Sequence, residues 1–249
     1  MLFKHLNRPF LVLLQICLVL LGCHDTEREN LDKKNQTKQI QNQIKRLDSM
    51  QVNEVNTAIQ ELRQIGSPAV PALIEALTHH SAQLSANSAQ ALPVMGSASY
   101  QAIPALIRAL ADRRVNVRQQ AAFSLGLIGA LTNIQPPEKD NSLVKEMVPA
   151  LITALGDQDL AVCSNAASAL GMLGEVAVKA VPLLIQALDS PNPGFRADVV
   201  AALALIGKPK NMVISTLTRA LNDESSDVQQ CATFHLERLN SIQSINSSP

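Results

Sequence analysis

A chain of 249 residues has room for one or two ordinary domains or for a single elongated array. Its 21 basic and 21 acidic residues balance, which argues against the phosphate-neutralising surface that nucleic acid requires. Tryptophan is absent and Tyr100 is the one tyrosine, so the stacking platforms of single-strand binders are missing too.

The first residues read as a leader. Lys4, His5 and Arg8 form a basic opening, followed by an apolar run from Phe10 to Leu21. That run is roughly half of the ~20 residues a membrane-spanning helix needs, and a short apolar run with basic flanks is the pattern of an export signal. The run stops at Leu20-Leu21-Gly22-Cys23. This resembles the bacterial lipobox, with Leu at the first position, Gly before the cysteine and a polar sequence after it; Leu21 departs from the smaller residue usual there. The resemblance implies that Cys23 is diacylated and becomes the first residue after cleavage, and two acyl chains give stable anchoring. It also implies an exported, membrane-anchored lipoprotein facing the periplasm. His24 follows the cysteine where an aspartate would retain the protein in the inner membrane, so outer-membrane sorting is the default. The alternative is an ordinary signal or a buried helix with an incidental cysteine. The leader is therefore 1–22. Residues 23–37 are polar and mixed in charge and too poor in apolar surface to order themselves, so they are expected to form a flexible tether.

From 38 to 240 the chain repeats. Ile40, Ile44 and Leu47 share one helical face, as do Val55, Ile59, Leu62 and Ile65 before Gly66; these predict an N-terminal capping helix pair, more polar on its outer side. Then "AVPALIEAL" at Ala69 recurs as "AIPALIRAL" at Ala102, "MVPALITAL" at Met147 and "AVPLLIQAL" at Ala180. The prolines 71, 104, 149 and 182 are spaced 33, 45 and 33 apart, and Gly96, Gly129, Gly174 and Gly207 keep the same intervals. The odd interval is one repeat plus 12 residues, an inserted loop at 131–142 stiffened by Pro136-Pro137. A fifth unit has Ser215 in place of proline and Asn240 in place of glycine; asparagine is the second choice for a left-handed helix end. Residues 241–249 are a polar tail.

Each unit predicts two helices. The first opens on its proline, where a missing N–H costs little. A short turn follows, with Asp112, Asp157, Asp189 and Asp223 near the join. The second helix, as in "VRQQAAFSLGLIG" from Val117, places apolar or small residues at 0, +4, +5, +8 and +11 and ends on a glycine cap. Pro93, standing where Gly126 and Gly171 stand, should kink that helix or end it early.

At this point the chain resembles the HEAT-repeat family, specifically the short bacterial repeats first described in phycobilin lyases, over about residues 50 to 240. The resemblance implies an all-α fold, an α-α superhelix or α-solenoid of about five repeats plus the capping pair. At ~8–10 Å between helices, six units make a curved rod on the order of 50–60 Å long.

Chemistry is sparse. His79 and His80 are adjacent in a loop and expected to point apart, and His235 stands alone near the end of the last helix. Cys163 and Cys231 lie two repeats apart, roughly 20 Å, beyond disulfide reach, and read as small buried hydrophobes. No catalytic residue, metal site or cofactor is expected. A deoxyhypusine-hydroxylase-like iron site would need His-Glu pairs, and the chain contains no His-Glu dipeptide. In the resemblance the second helices line the concave side, leaving +3, +7 and +10 outside the core. These positions predict a binding groove with an amide-rich row at Asn87, Gln120, Asn165 and Asp198 and an aliphatic row at Leu127, Met172 and Leu205. The expected function is a non-catalytic scaffold that binds a protein or peptide, held at a membrane by its lipid and taking no nucleic acid. The alternative is an accessory or catalytic subunit of a phycobilin-lyase-like enzyme.

Overall fold

The structure is a computed structural model that describes residues 28–134 and 142–246. A first helix, α1, covers 28–46. It is followed by α2 (Val52–Ile65), α3 (Val70–Ala76), α4 (Ala82–Ala91), α5 (Ile103–Ala109), α6 (Val115–Ile134), α7 (Ser142–Ala154), α8 (Leu160–Leu173), α9 (Val181–Ala187), α10 (Pro193–Ile206), α11 (Lys210–Ala220) and α12 (Ser226–Asn246). Segments of 3-10 helix at Ser67–Ala69, Leu92–Ala102 and Gly174–Ala180 lead into α3, α5 and α9. In each of these three helices the proline sits in the first two positions. Proline is tolerated there because the N–H it lacks would have no partner in the first helical turn.

The helices form two layers. α3, α5, α7, α9 and α11 each pack on the helix that follows, while α2, α4, α6, α8, α10 and α12 pack on one another in succession. The second layer is the tighter one, because its contacts are made by small residues. A Cβ added at Gly126 would stand 2.9 Å from the Ala169 Cα, and one at Gly171 would stand 2.9 Å from the Ala202 Cα. The core is one continuous strip from Ile40 to Ala232. The expected core positions of α6 (Val117, Ala121, Ala122, Leu125 and Ile128) are all fully buried.

The ends of the units obey the sequence pattern with three corrections. Gly66, Gly96, Gly174 and Gly207 adopt positive φ, where an added side chain is strained. Gly129 does not cap: α6 runs through it to Ile134, and its Cα faces Leu173, whose Cδ2 lies 2.7 Å from the position a Cβ would take. Asn240 does not cap either, since α12 continues helical to Asn246 and no described residue other than glycine has positive φ. The inserted loop is shorter than expected, because 131–134 extend α6 and Ser142 already opens α7; residues 135–141 lie outside the described residues. As a result Pro149 stands inside α7 rather than at its start. Pro93 follows the end of α4 at Ala91, as its missing N–H requires.

The tether also differs. Residues 28–37 are helical and exposed as the opening turns of α1. The leader, Cys23 and residues 23–27 lie outside the described residues. The stretch Leu160–Ala187 is apolar enough to cross a membrane by composition. Gly174, at φ 60° and ψ −136°, divides it into α8 and α9, and its apolar side chains, such as Val162, Leu170 and Leu184, are core.

The joins between paired helices share one hydrogen-bond plan. At each join a side chain accepts the N–H two residues later: Ser49 from Gln51, His79 from Ser81, Asp112 from Arg114, Asp157 from Asp159, Ser190 from Asn192 and Asp223 from Ser225. Ser190 takes this part in the fourth unit, while Asp189 is exposed. The residue at +1 of each following helix then donates to the carbonyl six residues before it, from Ser85, Arg118, Cys163, Arg196 and Gln229. Arg118 also reaches Asp157 of the next unit through two bonds of 2.7 and 2.9 Å, and Arg196 reaches Asp223 through bonds of 2.9 and 2.7 Å. These paired arginines hold the Asp157 and Asp223 carboxyls below the usual carboxylate range. Between the third and fourth units the rung is missing on both sides, with Cys163 in the arginine position and Ser190 in the aspartate position.

Candidate interaction surface

The surface of interest is the outward face of the second-layer helices. The expected amide row only partly reaches it. Asn87 is buried, and its Nδ2 donates to the Leu47 carbonyl at 2.7 Å. Asn165 Nδ2 donates to the Gln119 carbonyl of the preceding helix at 3.0 Å. Cys231, in the same register, donates to the Ala197 carbonyl at 3.5 Å. These side chains tie one unit to the one before it. Gln120 and Asp198 are half-buried. The expected +7 floor is interior: Ala91, Ala169 and Ala202 are buried, and the Ser124 hydroxyl donates to the Ala89 carbonyl at 2.8 Å.

The exposed face is turned by one residue from the expected one. It runs through +6 and +10, positions four apart that share a helical face. Position +10 holds Leu127 and Met172, half-buried, and Leu205, 45% exposed; these three were predicted. Position +6 was not predicted, and it holds Gln90, Phe123, Ser168, Ala201 and Phe234. Phe123 is 40% and Phe234 60% exposed. The chain holds five phenylalanines, and two of them stand uncovered at one repeat position. The signal was available in the sequence as two aromatics in equal register, in units two and five, where the other units carry small or polar residues.

Several charged side chains gather at one end of this face. Glu175, Lys208, His235 and Arg238 line a concavity of about 270 Å³ with Leu205 and Leu239. Lys208 Nζ pairs with Glu175 Oε2 at 2.7 Å. Burial, with Arg238 nearby, pushes the His235 imidazole below its ordinary value, and its ring meets Phe234 edge-on at 5.1 Å. His235 lies well inside α12 rather than near its end. The predicted residues fall into separate depressions: Asn87 in one of about 100 Å³, and Asn165 with Asp198 in a shallow one of about 480 Å³.

Nucleophiles and ligands do not converge. Burial first, and the Asp157 carboxylate second, push the Cys163 thiol up, and Cys231 is likewise raised by burial. The His79 and His80 rings lie against each other at 3.9 Å between centroids rather than apart, because Arg114 gathers the carbonyls of both residues. Among the described residues no three His, Cys, Asp or Glu side chains cluster as a metal site would need.

The HEAT-repeat family model matches residues 43–126 and 103–185, more than half of the chain. The chain belongs to the HEAT-repeat family. Similar solved structures agree with this solenoid. The Escherichia coli protein YibA superposes with a TM-score of 0.62 at 18% identity, over 85% of this chain and 78% of that one. The complex of CpcE and CpcF of phycocyanin lyase from Nostoc sp. PCC7120 gives 0.52 at 25% identity, over 76% and 73%. A designed armadillo repeat protein in complex with the peptide (KR)4 gives 0.53 at 18% identity, over 79% and 97%. Among curated proteins none matches the chain.

Proposed function

We propose that this HEAT solenoid is a non-catalytic scaffold that captures a segment of another protein along the exposed face of α4, α6, α8, α10 and α12. The observation that carries the reading is the apolar row in which Phe123, Leu205 and Phe234 are exposed and Leu127 and Met172 half-buried. Aromatic side chains give a large contact area and are the usual anchors of interfaces. Phe123 and Phe234 are three units apart, about 25–30 Å at the ordinary helix spacing, so the partner must be elongated. With the amides of Asn87 and Asn165 engaged to the chain's own backbone, recognition falls on apolar side chains rather than on the partner's peptide groups. The reading is supported by the designed armadillo neighbour of similar fold, whose structure holds the peptide (KR)4.

In the same reading Cys23 is acylated and the solenoid works on the periplasmic side of a membrane, supported by the Leu-Leu-Gly-Cys sequence and the basic, apolar leader. A subunit of a bilin lyase is the second reading, supported by the fold shared with the Nostoc complex; bilin absorbance in the purified protein would favour it. The scaffold reading is tested by Phe123→Ser with Phe234→Ser. Both side chains are exposed, so the melting midpoint should hold while the partner recovered by affinity purification falls about tenfold or more, since truncated anchors cost on the order of 2 kcal/mol. Unchanged recovery would contradict it.

A further inference from the structure

A second cavity, of about 570 Å³, lies away from that face. It is lined by Lys145, Val148, Pro149, Ile152, Val176 and Lys179. It sits where the repeat rhythm breaks: its walls are α7, lengthened by the insertion, and the 3-10 segment Gly174–Ala180. Lys145 belongs to the added turns and has no counterpart, since Ser67, Tyr100 and Val178 stand four residues before the other prolines. The volume lies within the ~300–1,000 Å³ range of small-molecule sites, which are mainly apolar with a few polar groups that fix orientation. Here the apolar wall is Val148, Pro149, Ile152 and Val176, and the two polar groups are both cations. Among the described residues no acidic side chain lines the cavity, and their ion pairs are made by Arg46, Arg114, Arg118, Arg196 and Lys208.

We infer that this cavity binds a fatty-acid anion, its carboxylate near Lys145 and Lys179 and the first carbons of its chain along Val148, Ile152 and Val176. Two cations facing an apolar wall match a ligand with one anionic end and an apolar body. A docked peptide side chain would leave much of such a volume empty. The inference does not depend on the interaction surface described above.

The test uses the full chain in ATP-depleted cell extract, which prevents covalent acylation, with a diazirine-bearing palmitic acid as the probe. Irradiation should place the label within 142–154 and 174–180. Lys145→Gln with Lys179→Gln should lower labelling about tenfold, the effect of losing charge-assisted hydrogen bonds to a carboxylate. Val176→Trp should abolish it by filling the cavity; Val176 is already 38% exposed, and an unchanged melting midpoint in both variants separates loss of the site from loss of the fold. Undiminished labelling of the lysine variant, equal labelling by the matching fatty alcohol, or label mapped elsewhere would overturn the inference. So would preferential labelling of the same segments by a photoreactive phosphatidylglycerol in vesicles, which would mark a bilayer-docking surface instead.

Discussion

At the scale of single residues, polar side chains in the second layer divide by whether they face the neighbouring unit or water. Asn87 and Gln120 occupy the same repeat position, yet Asn87 is buried on the Leu47 carbonyl and Gln120 is half-buried. Removing a buried donor leaves its acceptor unsatisfied at a cost of about 1–3 kcal/mol. Asn87→Ala is therefore expected to lower unfolding free energy by about that much in a denaturant titration. Gln120→Ala should leave it within about 0.5 kcal/mol, as surface changes do. Equal effects would show that the two amides play one role. The sequence could not separate them, because +3 reads as outside the core in every unit. Which of these side chains turns inward depends on how far each helix rolls against the previous one, and no spacing records that.

At the scale of elements, the close approach of successive second-layer helices rests on glycine and alanine. A methyl group at Gly171 would stand 2.9 Å from the Ala202 backbone and 3.2 Å from Leu205 Cδ1. Overpacking of this kind costs about 1–3 kcal/mol, so Gly171→Ala is expected to lower the unfolding free energy by that amount in a denaturant titration, despite alanine's better helix propensity. A neutral or stabilising result would mean the layers slide apart freely. Element order, the two layers and the core positions of α6 and α8 were legible because apolar periodicity and capping glycines are local signals. Gly129 and Asn240 misled for the same reason: a residue in capping register ends a helix only if nothing continues it. The insertion supplies α6 and α7 with further turns, and the residues after Asn240 carry α12 on to Asn246. The one-residue turn of the exposed face, which brings in Phe123 and Phe234, arises from packing between units and is not a property of one helix.

Across the whole molecule, the units are joined by the core strip and by the arginine–aspartate rungs. The carboxyls of Asp112, Asp157 and Asp223 are lowered first by hydrogen bonds from Arg114, Arg118 and Arg196. A carboxyl with a lowered folded value contributes its full stability above the unfolded value, about 3.9, and loses it as pH falls through the folded value. The melting midpoint should therefore fall below about pH 4 as these groups protonate. Arg118→Ala with Arg196→Ala should make that acid decline shallower while lowering the midpoint at neutral pH. An identical acid limb in the variant would assign the loss to other carboxylates. No such rung joins units three and four, where Gly171 and Ala202 keep the helices in close contact.

The central claim is that the second-layer face, and not the first layer, receives the partner. It is tested most directly by placing a photocrosslinking amino acid at Phe123, Ser168 or Phe234 and, for comparison, at Gln186 on α9, in cells producing the full chain. The face described here predicts one protein adduct shared by the first three positions and weak or absent from Gln186. Adducts concentrated at Gln186, or no shared adduct among the three, would contradict it.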